Sequence, residues 1–177
     1  TFTNRAAREM RARIEQAVGS AAAALWVGTF HATAVRLLRW EAGALGLPRD
    51  FTIYDTADSR STLKRAIESL DFDLGHFTPD QIAHHISWAK NKLITAEQYE
   101  PRPGHPLGHV VARVYPAYQA RLLASSAVDF DDLLLHVASL LRENPETRAT
   151  LDERYRYILV DEYQDTNLAQ YTIVRAL

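Results

Sequence analysis

Residues Tyr157-Ile158-Leu159-Val160 make a short run that is apolar on both faces and ends on Asp161-Glu162. A half-solvated strand alternates apolar and polar residues; an unbroken run reads instead as the central strand of a parallel sheet, covered on both sides. Parallel strands need crossover connections, usually helices. A second stretch repeats the theme. Leu25-Trp26-Val27 precedes Gly28, and a helix is expected over Phe30–Leu45 with Ala34, Leu37, Leu38 and Ala42 on one side. Strand, glycine and helix in succession mark an α/β fold.

Between these stretches the pattern becomes helical. Periodicity predicts helices over about residues 57–70, 79–93 and 107–124, with a scrap of strand at 51–54. Thr78-Pro79-Asp80-Gln81 combines a capping box with proline at the first helical position, and Thr95-Ala96-Glu97-Gln98 repeats the box. Pro101, Pro103, Gly104 and Pro106 mark a loop, and Pro116 is expected to kink the last of these helices. Outside the block, a helix over residues 4–18 carries Ala6, Met10, Ile14 and Val18 as a stripe, with Thr3 or Asn4 as its cap. Asp129 is expected to cap a helix at Phe130–Leu141. A shorter helix follows from about Pro145 to Glu153, and Asn167-x-x-Gln170 opens a final one.

The chain has 177 residues and no cysteine, which excludes a disulfide framework and a thiolate metal site and fits a cytoplasmic protein. No apolar run approaches the roughly 18 residues of a membrane-spanning helix. Residues 1–50 hold seven Arg against four acids, whereas residues 127–177 hold five Arg against ten acids. A basic start and an acidic end suit a phosphate-facing part and a metal-facing part; solvated helix faces account for the same charges. The chain opens on Thr1 without Met and closes on an apolar stretch at Leu177, so an internal piece of a longer protein is expected.

In open α/β sheets, ligands sit beyond the carboxyl ends of the strands. A buried strand ending in Asp161-Glu162 would deliver two carboxylates there. The first can hold Mg²⁺, a hard cation served by carboxylate, phosphate and water oxygens; the second can deprotonate a water attacking a γ-phosphate. A strand that merely stops on polar residues explains the bare pattern equally well. His105-x-x-x-His109 has metal-like spacing but encloses Pro106 and Gly108, and His84-His85 point different ways on a helix, so both read as structural. Asp129, Asp131 and Asp132 read as a cap and a solvated first turn. Trp26, Trp40 and Trp88 read as packing residues, with a ligand-facing role for Trp88 beside Lys90 and Lys92 as the lesser alternative.

Four segments carry a family resemblance. Asp161-Glu162-Tyr163-Gln164-Asp165-Thr166-Asn167 resembles the segment after the Walker B strand in UvrD/Rep-type superfamily 1A DNA helicases. Thr1-Phe2-Thr3-Asn4-Arg5-Ala6-Ala7-Arg8-Glu9-Met10 resembles their motif Ia, and Gly28-Thr29-Phe30-His31-Ala32 their motif Ib. Val128-Asp129-Phe130-Asp131-Asp132-Leu133-Leu134 resembles a segment ahead of Walker B. The resemblance implies an incomplete RecA-like parallel-sheet P-loop NTPase domain, 1A, at residues 1–51 and 127–177. An all-α subdomain, 1B, would be inserted at residues 52–126.

By resemblance, ATP and Mg²⁺ are the cofactors. Asp161 would hold the metal, Asp161 and Glu162 would line the nucleotide site, Glu162 would be the catalytic base, and Gln164 would couple nucleotide to DNA. Phe2, Thr3, Asn4 and Arg5 would line a single-strand track, Phe2 by stacking on a base, and Thr29, Phe30 and His31 would contact the same strand. Packing is the alternative for Phe2 and Phe30. The implied parent is an ATP-dependent 3′→5′ helicase acting on single-stranded DNA and single/double-strand junctions, alongside repair or replication proteins. Arg5 stands where the family usually has Lys. No Gly-x-x-x-x-Gly-Lys-Ser/Thr loop occurs, so the piece by itself is expected to be inactive. Two alternatives stay open: the motor of a helicase–nuclease, and a non-catalytic DNA-binding module on a degenerate motor fold.

Overall fold

The computed structural model describes the backbone of residues 1–177 and all side chains except those of Ala44 and Leu45. Local capping chemistry sets most element boundaries. Thr3 accepts a hydrogen bond from the Ala6 amide and starts α1 (Asn4–Val18), while Thr29 accepts from Ala32 and starts α2 (Phe30–Trp40). After strand β1 (Thr52–Ile53), Asp55 caps α3 (Thr56–Glu68). The Thr78–Gln81 capping box opens α4 (Pro79–Asn91), and His105 Nδ1 accepts from the Gly108 amide at the start of α5 (Pro106–Ala124), which runs through Pro116. Strand β2 (Ala127–Val128) leads into the Asp129–Asp132 box of α6 (Phe130–Glu143). Then come α7 (Pro145–Arg154) and α8 (Leu168–Ala176), the latter opened by the Asn167–Gln170 box.

β1 and β2 pair in parallel, with Thr52 opposite Ala127 and Ile53 opposite Val128. The chain therefore leaves this point at Tyr54, makes three helices, and returns to the same point at Ser126. Two hydrophobic cores meet there. The first joins Leu37, Leu38 and Phe51 to Val128, Leu133, Val137, Leu141, Leu151 and Ile173. The second lies among α3, α4 and α5, around Leu63, Ile82, Ile86, Val111, Val114 and Leu122. No described helix is long and apolar enough to cross a membrane.

The helices lie close to their predicted spans, but the two expected buried strands are not formed. Leu25–Val27 and Tyr157–Val160 belong to no ladder; Tyr157 is 92% exposed and Leu159 95% exposed. A strand exists only where a neighbour accepts and donates its backbone hydrogen bonds, and among the described residues no segment does so for either run. What is observed is a mostly helical fold with one small parallel sheet. The helix expected over Phe30–Leu45 stops at Trp40, followed by a 3₁₀ turn at Ala42–Leu45; the side chains of Ala44 and Leu45 lie outside the described residues. The stripe on α1 is only partly covered: Ala6, Met10 and Ile14 are half-buried, Val18 is exposed, and no residue of α1 is fully buried. Thr95–Gln98 closes a turn rather than opening a helix: the Gln98 amide donates to the Thr95 carbonyl at 3.2 Å.

Candidate functional site

Asp161 and Glu162 lie on a turn, not at the end of a strand. Both carboxylates are exposed, and neither makes an ion pair among the described residues. Glu162 has a left-handed backbone (φ 52°), which a non-glycine residue adopts only where its surroundings hold it. Here the Asp165 amide donates to the Glu162 carbonyl at 2.9 Å, and Gln164 Nε2 donates to Glu162 Oε2 at 2.5 Å. Gln164 thus orients the carboxylate that the sequence singled out as a base. Hard, solvent-accessible carboxylate oxygens suit a divalent ion of the Mg²⁺ type.

Thr1 links this turn to the second candidate segment. Its backbone nitrogen donates to the Gly28 carbonyl at 3.3 Å, and its Oγ1 donates to Asp161 Oδ2 at 3.4 Å. One residue on, the Phe2 ring packs against Phe30 with centroids 5.5 Å apart. Phe30 also packs on the first core, so its packing role is real; Phe2 is only half-buried. The hydroxyls of Thr3 and Thr29 accept from their own helix N-termini and retain a proton to donate. Asn4 and Arg5 are exposed in the first turn of α1.

His31 stacks on Phe130 with ring centroids 4.9 Å apart. Burial pushes the imidazole pKa below its ordinary value, against the pull of the Asp131 carboxylate. It is therefore a neutral hydrogen-bonding group near neutral pH. Phe130, more than half exposed, extends the aromatic patch and was not assigned a site role from sequence.

The acidic cluster beside Phe130 is built differently from the expected solvated turn. Lys90 Nζ lies 2.6 Å from Asp129 Oδ2 and 2.7 Å from Asp132 Oδ1, and neither Lys90 nor Asp132 has any exposed side-chain surface. Burial works against the charge on Lys90, but the two carboxylates outweigh it and its pKa rises; the same attraction holds Asp132 below the usual carboxylate range despite its own burial. Tyr118 donates to Asp129 at 2.9 Å and Gln119 to Asp132 at 3.0 Å. Lys90 is thus a structural cation, not a DNA-facing one. Sequence reasoning missed this because helical spacing does not say which face of α4 meets α6.

The remaining histidines and tryptophans make local packing contacts. His85 stands among Trp88, Tyr99 and His105, lining a cavity of about 330 Å³ in the second core's flank. Trp26 is covered by the Arg36 guanidinium at 3.5 Å and edged by Tyr155. Among the described residues no group of His, Asp and Glu side chains has a metal-binding arrangement of three or more. A larger cleft of about 490 Å³ runs past Asp55, Arg60, Asp80, Asp129 and Asp131, with Arg60 paired to Asp80 at 3.2 Å and Lys90 to Asp129.

Comparison with known proteins adds a family. The whole chain, residues 1–177, matches the model of the UvrD/REP helicase N-terminal domain. It is 46% identical over 178 residues to an "ATP-dependent DNA helicase PcrA" of Leuconostoc citreum. Proteins of the same name from Staphylococcus epidermidis and Bacillus subtilis are 43% and 42% identical over 177 residues. Each match covers 100% of this chain and 24% of the relative, so the chain spans about a quarter of their length.

Proposed function

The chain belongs to the UvrD/REP helicase N-terminal domain family, and from that premise we propose that it is the N-terminal motor region of an ATP-dependent DNA helicase. The intact protein would move 3′→5′ along single-stranded DNA in the cytoplasm and open duplex at single/double-strand junctions during repair or replication. One observation carries this reading. Thr1 touches Asp161 while Phe2 touches Phe30, so the nucleotide-facing carboxylate and the strand-facing aromatic patch are a residue apart.

Residues 1–51 and 127–177 would form motor domain 1A, and residues 52–126 the helical subdomain 1B. The two cores, which separate close to residues 53 and 128, support that division. Leu25–Val27 and Tyr157–Val160 would be strands of a RecA-like sheet completed in the longer protein; the exposure of Tyr157 and Leu159 supports this, because such apolar surface is normally covered.

Asp161 would hold Mg²⁺, which when bound supplies positive charge against the phosphates. Glu162, oriented by Gln164, would position the attacking water and accept its proton. Phe2 would stack on a base, and the amides at the start of α2, with Thr29 and the neutral His31, would meet the strand's backbone. Thr3, Asn4 and Arg5 would continue the track along α1.

The test is ATP hydrolysis by the full-length protein, with and without single-stranded DNA, beside Glu162→Gln. DNA-stimulated turnover that falls by orders of magnitude in the variant, with nucleotide binding kept, is expected. Normal turnover in Glu162→Gln would sink the assignment of the base. Absence of hydrolysis in both proteins would favour a non-catalytic DNA-binding module.

A further inference from the structure

We propose that Asn91, at the end of α4, is a positioning residue that ties the helical insert to the turn carrying Asp161, Glu162 and Gln164. The proposal rests on the nucleotide role given to that turn above. Asn91 Oδ1 accepts a hydrogen bond from Asn167 Nδ2 at 2.6 Å, across 76 residues of chain. Among the described residues this is the one hydrogen bond between the insert and the segment from Tyr157 to Leu177.

The direction of the bond is over-determined. Asn91 Nδ2 donates to Asp131 Oδ1 at 2.8 Å and to the Ser87 carbonyl at 2.9 Å, two groups that only accept. The Asn91 amide cannot turn over without setting its oxygen against a carboxylate. Asn167 Oδ1 is already committed to the Gln170 amide at 2.9 Å, which leaves its Nδ2 to face Asn91. Beside Asn91, Lys90 is locked to Asp129 and Asp132, so the end of α4 is a rigid post.

From Asn167 back to Glu162 the chain has little slack. Thr166 Oγ1 donates to the Tyr163 carbonyl at 2.8 Å, and the Asp165 amide closes on Glu162. Fixing Asn167 therefore fixes the turn at its downstream end, while Thr1 touches it at the upstream end through Asp161. Misplacement of reacting groups by about 1 Å costs as much as 100-fold in rate. The post on α4 sets that placement for the turn.

Two variants of the full-length protein separate this from folding effects. Asn91→Ala removes the acceptor. Asn167→Asp keeps an equally good helix cap but replaces the Nδ2 donor by an acceptor. Both should speed amide hydrogen exchange over residues 162–167 while leaving α6 protected. Both should lower DNA-stimulated kcat about tenfold with little change in KM for ATP. The two effects should be non-additive, because one bond is broken by either change.

Unchanged exchange over residues 162–167 overturns the proposal, whatever the activity. So does faster exchange with wild-type kcat. A wild-type protein without ATPase activity refutes the functional reading instead, and exchange then decides whether Asn91 holds the turn.

Discussion

Replacing Lys90 by methionine removes the cation from a buried triad and leaves the Asp129 and Asp132 carboxylates facing each other's field. Breaking one side of a buried ion pair typically costs 3–5 kcal/mol, because the remaining charge cannot return to water. Here the carboxylates keep other donors: Asp129 retains Tyr118 and the Asp132 amide, and Asp132 retains Gln119 and the Asp129 amide. The expected loss is therefore near the lower end, about 3 kcal/mol, a large share of the 5–15 kcal/mol that a domain has. In urea, with a slope of about 1–3 kcal/mol per molar, the midpoint should fall by roughly 1–3 M. The deficit should also narrow as pH drops from 7 toward 4, because the unpaired, desolvated Asp132 carboxyl then takes up a proton. Equilibrium urea unfolding of wild type and Lys90→Met at several pH values reads both effects. A loss below about 1 kcal/mol that does not vary with pH would refute a buried charge cluster.

Two further outcomes concern the aromatic patch and the histidines. Phe2→Ala should weaken single-strand binding by about 1–3 kcal/mol if a base stacks on the ring, measured by fluorescence anisotropy with an oligonucleotide; unchanged affinity with lowered thermal stability would make Phe2 a packing residue. His31, His85 and His136 all have pKa values lowered by burial, His136 despite the pull of Asp132 and with the added push of Lys90. The unfolded chain then binds more protons than the folded one below the ordinary value of 6.5, so stability is full above that pH and declines as pH falls toward the depressed folded values. Thermal midpoints at pH 7.5 and 5.5 check the sign, and His136→Gln should flatten the slope. A midpoint that rises on acidification would contradict it.

The local chemistry of this chain is written in its residues. Thr3, Thr29, Thr78, Asp129 and Asn167 start helices in the structure where their side chains, read in one dimension, say they should, because a cap is a contact over two or three residues. The helices between residues 56 and 124 are legible because periodicity within one helix is likewise local. The strands at Leu25–Val27 and Tyr157–Val160 are legible as apolar runs only. Whether such a run becomes a strand depends on a partner, and pairing is a property of distant chain. Tertiary structure alone decided which way α4 faces, and with it that Lys90 is buried between two carboxylates, that Asn91 reaches Asn167, and that Thr1 lies against Asp161. Each of these joins residues 39 to 160 positions apart, beyond any spacing that helical or strand periodicity can encode.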